Sequence, residues 1–194
     1  MHSKKNVHSP KKEQLHCPTR WLEFKPFGEI IPNTRFIPFK TPISKTYFQS
    51  NKSILEKDSL TTDQLVERLK MRGMKLGLVI DLTSKPGKYY NPAEWELHGV
   101  QYAKIASTTD NLMENRQKFF AIVNDFLSRD KEKLIGVHCA HGLNRTGFLI
   151  CSYLVEYRGY SLEQAISDFE TARGHKMETR KDVLHNLYAA KFDS

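Results

Sequence analysis

The stretch Leu134-Ile135-Gly136-Val137-His138-Cys139-Ala140-His141-Gly142-Leu143-Asn144-Arg145-Thr146-Gly147 decides how this chain is read. Leu134 to Val137 is an apolar run that predicts a strand, and Phe148 to Tyr157 carries apolar residues at helical spacing. Between them, Cys139 and Arg145 bracket a five-residue turn that contains Gly142. Strand, tight turn and helix in this order make an anion site, because the turn's N–H groups and the helix N-terminus converge on one point. The same field favours a thiolate at Cys139, which makes it a nucleophile at neutral pH. Arg145 has the planar fork that grips phosphoryl oxygens in pairs. Gly142 and Gly147 are expected to let the backbone turn tightly and bring amides close to the anion. Thr146 is expected to reach the Cys139 sulfur with its hydroxyl and to stabilise it as a leaving group.

Two plainer readings compete. A cysteine entering a helix after an apolar strand is often only a small buried residue, but that does not account for Gly142, Arg145, Thr146 and Gly147 at these offsets. His138, Cys139 and His141 cluster as zinc ligands do, yet no CxxC or HxxxH pair completes a tetrahedral set. Neither metal nor cofactor is expected, since the loop neutralises phosphate charge itself.

Cys-x5-Arg followed by Thr resembles the cysteine-dependent tyrosine and dual-specificity phosphatases. The fuller string His138-Cys139-x-His141-Gly142-x-Asn144-Arg145-Thr146-Gly147 resembles the RNA 5′-triphosphatase branch of that superfamily. That branch holds the RNA/ribonucleoprotein-interacting phosphatases, the baculoviral RNA phosphatase and the triphosphatase domain of animal capping enzymes. Arg20-Trp21, Phe36 to Pro42, Ile80-Asp81-Leu82-Thr83 with Tyr89-Tyr90, and Ala172-Arg173-Gly174-His175-Lys176 agree with it. The resemblance implies an α/β cysteine-phosphatase fold over residues 19–194, with a mostly parallel sheet flanked by helices. It also implies removal of the γ-phosphate, and then the β-phosphate, from 5′-triphosphate or diphosphate RNA through a cysteinyl phosphate. Ribonucleoprotein or small-RNA-processing partners and a monomeric enzyme go with that reading. A protein phosphatase acting on phosphotyrosine, phosphoserine or phosphothreonine is the alternative, and a non-catalytic RNA-binding module is a third. The chain holds no Lys-x-Asp-Gly nucleotidyl-transfer motif, so cap addition is not expected of it.

The 194 residues carry a net charge of +8. Residues 1–20 hold Lys4, Lys5, Lys11, Lys12 and Arg20 against Glu13, which is half of that excess. Residues 1–18 read as a disordered basic tail: a solvated arm, an RNA-attracting arm or a nuclear-targeting segment. Cys17, Cys139 and Cys151 have no framework spacing, and a nucleophilic thiol wants a reducing compartment. No apolar stretch approaches the roughly 20 residues of a membrane span. Nucleus or cytoplasm is the expected location.

Strands are expected near Arg35 to Phe39, Leu76 to Leu82, Val100 to Ile105 and Leu134 to His138. Helices are expected from Thr61 to Gly73, Pro92 to His98, Glu114 to Ser128, Gly147 to Arg158, Ser161 to Arg173 and Arg180 to Phe192. Capping boxes are read at Thr61/Gln64 and Ser161/Gln164. Strands alternating with helices place the site at the carboxyl edge of a central strand.

Two aspartates compete as proton donor. Asp81 ends a strand and matches the family's Asp-Leu-Thr string. Asp110 lies 29 residues before Cys139 in a polar segment, like the acid loop of dual-specificity phosphatases, although the RNA branch has a longer Gly- and Pro-containing segment there. The expectation is that Asp81 serves geometry or gives modest acid help, while Asp110 protonates slow side substrates. Asn144 is expected to brace the turn, and His138 to fix Cys139 by hydrogen bonding. Lys85, Lys88, Arg173, His175, Lys176 and Arg180 are candidate cations at the mouth, Arg173 foremost.

Overall fold

The computed structural model describes residues 17–108 and 110–189. The basic segment at 1–16, and the end of the helix expected to reach Phe192, lie outside the described residues. Four strands, β1 (Phe36–Lys40), β2 (Leu76–Asp81), β3 (Gln101–Lys104) and β4 (Leu134–Cys139), form one all-parallel sheet in the order β1-β4-β2-β3. Parallel pairing requires long crossovers. They are supplied by α1 (Lys45–Ser50), α2 (Thr62–Met71), α3 (Glu94–Leu97) and α4 (Leu112–Arg129), and α5 (Asn144–Arg158), α6 (Leu162–Arg173) and α7 (Lys181–Tyr188) follow β4. The α/β architecture read from the sequence is the one observed.

β2 and β4 are buried at every position because helices cover both faces of a parallel sheet. Their alternation sorts side chains between two cores. Leu78, Ile80, Ile135 and Val137 join Phe119 and Val123 of α4 and Phe148 and Leu149 of α5 in one. Leu76, Val79 and Leu134 join Leu65 and Leu69 of α2, and Trp95 of α3, in the other. Gly136, in the middle of β4, leaves room for Phe39 of β1, since a Cβ there would lie 2.7 Å from its Cε1.

The boundaries differ from expectation in instructive ways. α5 starts at Asn144 rather than Gly147, so Arg145 and Thr146 belong to its first turn. The Thr61/Gln64 box is reciprocal. At Ser161 only half a box forms: Ser161 Oγ accepts from Gln164 N, while the Gln164 side chain donates to Asp168 instead. α1 and the short turns Trp21–Glu23 and Glu56–Asp58 carry no periodic apolar stripe and were not anticipated.

The Trp21–Glu23 turn is secured by one buried lysine. Lys40, opposite Cys139 in the β1–β4 register, donates to the carbonyls of Trp21 (3.2 Å), Phe24 (2.9 Å) and Asp58 (3.0 Å). Its Nζ lies 3.4 Å from the centroid of the Trp21 ring, and Trp21 Nε1 donates to Thr41 O at 2.9 Å. Burial pushes the amine down to about 7, yet the three carbonyls need the three N–H groups that only the ammonium carries. The segment around residue 20 is thereby held beside the end of β4.

Replacing Gly136 by Ala is expected to destabilise the protein by about 1–3 kcal/mol through overpacking against Phe39. A chemical-denaturation midpoint matching the parent's would remove that account of the glycine.

Candidate active site

β4 ends at Cys139 and α5 begins five residues later, so the loop Ala140–Leu143 closes over the carboxyl edge of the central strand. Gly142 has φ +68°, and a Cβ there would lie 2.2 Å from Phe39 O, so only glycine lets the loop lie this close to β1. Gly147 does a different job from the one expected. It sits within α5, where a Cβ would meet Met177 Sδ at 2.6 Å and Phe169 Cε1 at 2.7 Å, so it serves packing rather than amide approach.

Cys139 is 4% exposed. Burial would raise its pKa, but the Arg145 guanidinium, the Thr146 hydroxyl and the N–H groups of Thr146 and Leu143 outweigh it and hold the thiol below its ordinary value. The N–H groups belong to a helix start, where they have no partner within the helix. Thr146 Oγ1 has no other partner among the described residues and is buried, which leaves it to the sulfur. Arg145 donates Nη1 to Leu82 O at 3.1 Å and to Ser107 O at 2.7 Å. One corner of the fork is thus pinned to the ends of two neighbouring strands, and its remaining N–H groups are left for phosphoryl oxygens.

His138 is fully buried and lies behind the loop, so it is not a substrate contact. Trp95 Nε1 donates to Tyr90 OH at 3.2 Å. Tyr90 therefore uses its own hydrogen toward His138 Nε2 at 2.9 Å, and Nδ1–H of the histidine faces Cys139 O at 3.3 Å. Burial lowers the His138 pKa, which keeps this tautomer neutral. Tyr90 and Trp95 were missed as parts of the site, because nothing in their spacing tells a polar relay from ordinary aromatic core.

Asp81 is 2% exposed and saturated. Oδ1 accepts from Thr83 N and Oγ1, both at 2.7 Å, and Oδ2 accepts from Tyr102 OH and Lys104 Nζ, both at 2.8 Å. Burial would raise its pKa, but the Lys104 ammonium, with the hydrogen bonds it and Thr83 donate, prevails and holds it below the usual aspartate range. With both oxygens engaged, the carboxylate shapes the loop after β2. Asp110 is exposed. It follows the Ser107 carbonyl that pins Arg145, in a segment tied by Asn111 and Asn115, whose amides donate to Ala106 O at 3.0 and 3.2 Å.

Arg173 also departs from expectation. It is fully buried, donating Nε to Gly142 O (3.2 Å) and Nη2 to His141 O (2.9 Å) and Lys25 O (2.7 Å). It braces the loop from beneath rather than touching substrate from the mouth. Asn144 Oδ1 accepts from Glu178 N (2.9 Å) and Thr179 N (3.0 Å), so it ties the 174–180 segment to α5 instead of bracing the turn itself. His141 turns outward, donating to Thr19 O at 2.7 Å and packing on Phe24. Ala140 and Leu143 contribute backbone: Ala140 O accepts from Thr41 N, and the Leu143 side chain is buried. His175 Nε2 accepts from Lys25 N, which removes it from the pool of cations. No cluster of three metal-ligating side chains occurs among the described residues.

Residues 60–191 match the family model for the dual-specificity phosphatase catalytic domain. The chain belongs to this family. It is 41% identical over 180 residues to an RNA/RNP complex-1-interacting phosphatase homolog of Caenorhabditis elegans, covering 90% of this chain and 76% of that one. The human RNA/RNP complex-1-interacting phosphatase is 38% identical over 91% of this chain, which spans about half (53%) of the human protein. A tyrosine-protein phosphatase of the Autographa californica nuclear polyhedrosis virus is 36% identical, covering 88% of this chain and 98% of that one. Among solved structures, the active form of Tk-PTP superposes with a TM-score of 0.56 at 21% identity, over 84% of this chain and 97% of that one, a likeness of fold. As a member of this phosphatase family, the chain is a hydrolase of phosphate esters.

Two substitutions test the groups around the cysteine. A folded-state pKa below that of the unfolded chain makes Asp81 stabilising above the usual aspartate range, near pH 4, and that contribution is lost as pH falls through the depressed value. Asp81→Asn should therefore lower stability at neutral pH and flatten its decline in acid. An unchanged acid limb in denaturation curves would show that Asp81 is not held ionised. Tyr90→Phe should loosen the His138 tautomer, costing roughly 1 kcal/mol, or about fivefold in kcat/KM. The pH midpoint for iodoacetamide alkylation of Cys139 should move upward; a midpoint that stays put would disconnect Tyr90 from the thiolate.

Proposed function

We propose that this phosphatase is an RNA 5′-phosphatase that removes the γ-phosphate, and then the β-phosphate, from triphosphorylated RNA without a metal ion. The observation that carries the reading is the state of Asp81. This carboxylate, at the end of the strand paired with β4, is buried, ionised and engaged, so the site is best suited to a leaving group that needs no proton. A phosphoanhydride is such a group, because the departing diphosphate is already a weak base. The names of the nematode and human relatives tie those proteins to an RNA–RNP complex, and the net charge of +8 suits a polyanionic substrate.

The chemistry follows from the loop. Cys139 thiolate attacks the γ-phosphorus as the bond to the β,γ-bridging oxygen breaks, and the electron pair leaves with the RNA diphosphate. Arg145 and the loop amides meet the three equatorial oxygens, whose charge dominates a loose transition state. Water then cleaves the S–P bond, releasing inorganic phosphate, and the thiolate leaves toward Thr146. Work as a monomer in the nucleus or cytoplasm, beside ribonucleoprotein or small-RNA-processing proteins, belongs to the same proposal.

A second reading rests on Asp110. Its support is an exposed carboxylate on the segment that pins Arg145, available to protonate an alkoxide or phenoxide, and a viral relative that bears the name of a tyrosine phosphatase. That reading makes the chain a protein phosphatase with Asp110 as its acid.

Phosphate release from a short 5′-triphosphate RNA, with EDTA present, beside a phosphotyrosine peptide separates the two. RNA should be strongly preferred, and Cys139→Ser should abolish turnover. Preference for the peptide, lost in Asp110→Asn, would replace the first reading with the second.

A further inference from the structure

We propose that Arg20 is a selectivity residue for polyphosphate ends: a guanidinium latched to Glu178 on the rim of the loop, which exchanges that carboxylate for the phosphates behind the reacting one. The inference rests on the reading of the substrate as a 5′-triphosphate. Only the terminal phosphate fits among the loop amides, so the next phosphates must lie against the rim and need a cation there.

Three observations point to Arg20. The first is location. The carbonyl of the preceding residue, Thr19, accepts from His141 of the loop at 2.7 Å. Arg20 donates Nη2 and Nη1 to Glu178 at 2.9 and 3.2 Å, and Glu178 N is itself held by Asn144, the neighbour of Arg145. The pair thus bridges two walls of the mouth. The second is backbone. Arg20 has φ 60° and ψ 12°, a left-handed conformation that is uncommon for a residue with a Cβ and that clusters at ligand clamps. Lys40 and Trp21 hold the following residues firmly enough to maintain it. The third is exchangeability. The side chains of Arg20 and Glu178 are 49% and 43% exposed, and water screens such a pair heavily. A phosphate offers the same fork two oxygens of higher charge.

Phe24, under the guanidinium at 5.4 Å and packed against His141 and His175, gives the fork a rigid backing. Glu23 takes Nε of Arg20 at 2.8 Å. Removing Arg20 would therefore leave two carboxylates facing an incoming polyphosphate, whereas neutralising Glu178 would free Arg20 for it. The two substitutions have opposite expected signs.

The experiment compares kcat/KM of the full chain on a short 5′-triphosphate RNA and on p-nitrophenyl phosphate, with EDTA present and thermal midpoints recorded. Arg20→Asn, which tolerates the left-handed backbone, should lower the ratio of triphosphate to monoester activity about tenfold, chiefly through KM. Glu178→Gln should raise the ratio roughly threefold. Equal losses on both substrates in Arg20→Asn, or a ratio that falls in Glu178→Gln, would overturn the assignment and leave Arg20 a structural strap. A parent enzyme without preference for the triphosphate would overturn the reading of function and this inference together, whereas a parent preference untouched by Arg20→Asn overturns the inference alone.

Discussion

A thiolate in the interior of a protein has to be met by donors and positive charge, or it takes up a proton. Cys139 is such a group, and the surrounding architecture follows from its requirement. The N–H groups that meet the sulfur are those a helix leaves unpaired at its start, which obliges α5 to begin inside the loop. The charge comes from Arg145, and it stays in place because two carbonyls, at Leu82 and Ser107, hold one corner of its fork. Those carbonyls sit beyond the carboxyl ends of β2 and β3, so the sheet order β1-β4-β2-β3 brings the anchor to the loop.

Around this centre the polar residues divide into those facing phosphate and those holding the loop from behind. His138, Tyr90 and Trp95 make a directional chain of hydrogen bonds whose donors and acceptors fit one histidine tautomer. Arg173 holds the carbonyls of His141 and Gly142, which turns the loop's oxygens away from the anion and its N–H groups toward it. Asp81 takes donors from β3 and from its own loop. All three positions carry groups that look catalytic when read by type, and all three are buried and engaged with the loops around Cys139. The acid-independent character of the proposed reaction comes from the same arrangement.

Much of the fold was legible because its signals are local. The apolar runs at Leu76 and Leu134, the helical stripes after Gly147 and Ser161, and the Thr61/Gln64 box each need only a dozen residues to be read. The start of α5 was placed three residues late because the loop's polar residues break the apolar periodicity before the backbone stops being helical. The segment from Thr19 to Lys25 has no stripe because its buried Trp21 is held by a contact distant in sequence, with Lys40, and helix α1 has none because it buries no residue.

The sequence alone determined the chemistry at the centre: Cys139, Gly142, Arg145 and Thr146 lie within eight residues, so their geometry is set by one turn and one helix start, and spacing is enough to predict it. It also determined the alternation of strands and helices, because burial on both sheet faces writes itself into hydropathy. Tertiary structure alone decided which of the other charged residues face phosphate and which stand behind the loop. Asp81, His138 and Arg173 come to Cys139 from β2, β4 and α6, and whether each points at the anion or away from it depends on neighbours contributed by other parts of the chain. Nor does any local pattern put Arg20 beside Glu178, 158 residues away. Only the closing of the N-terminal segment over the end of β1 brings that pair to the rim of the site.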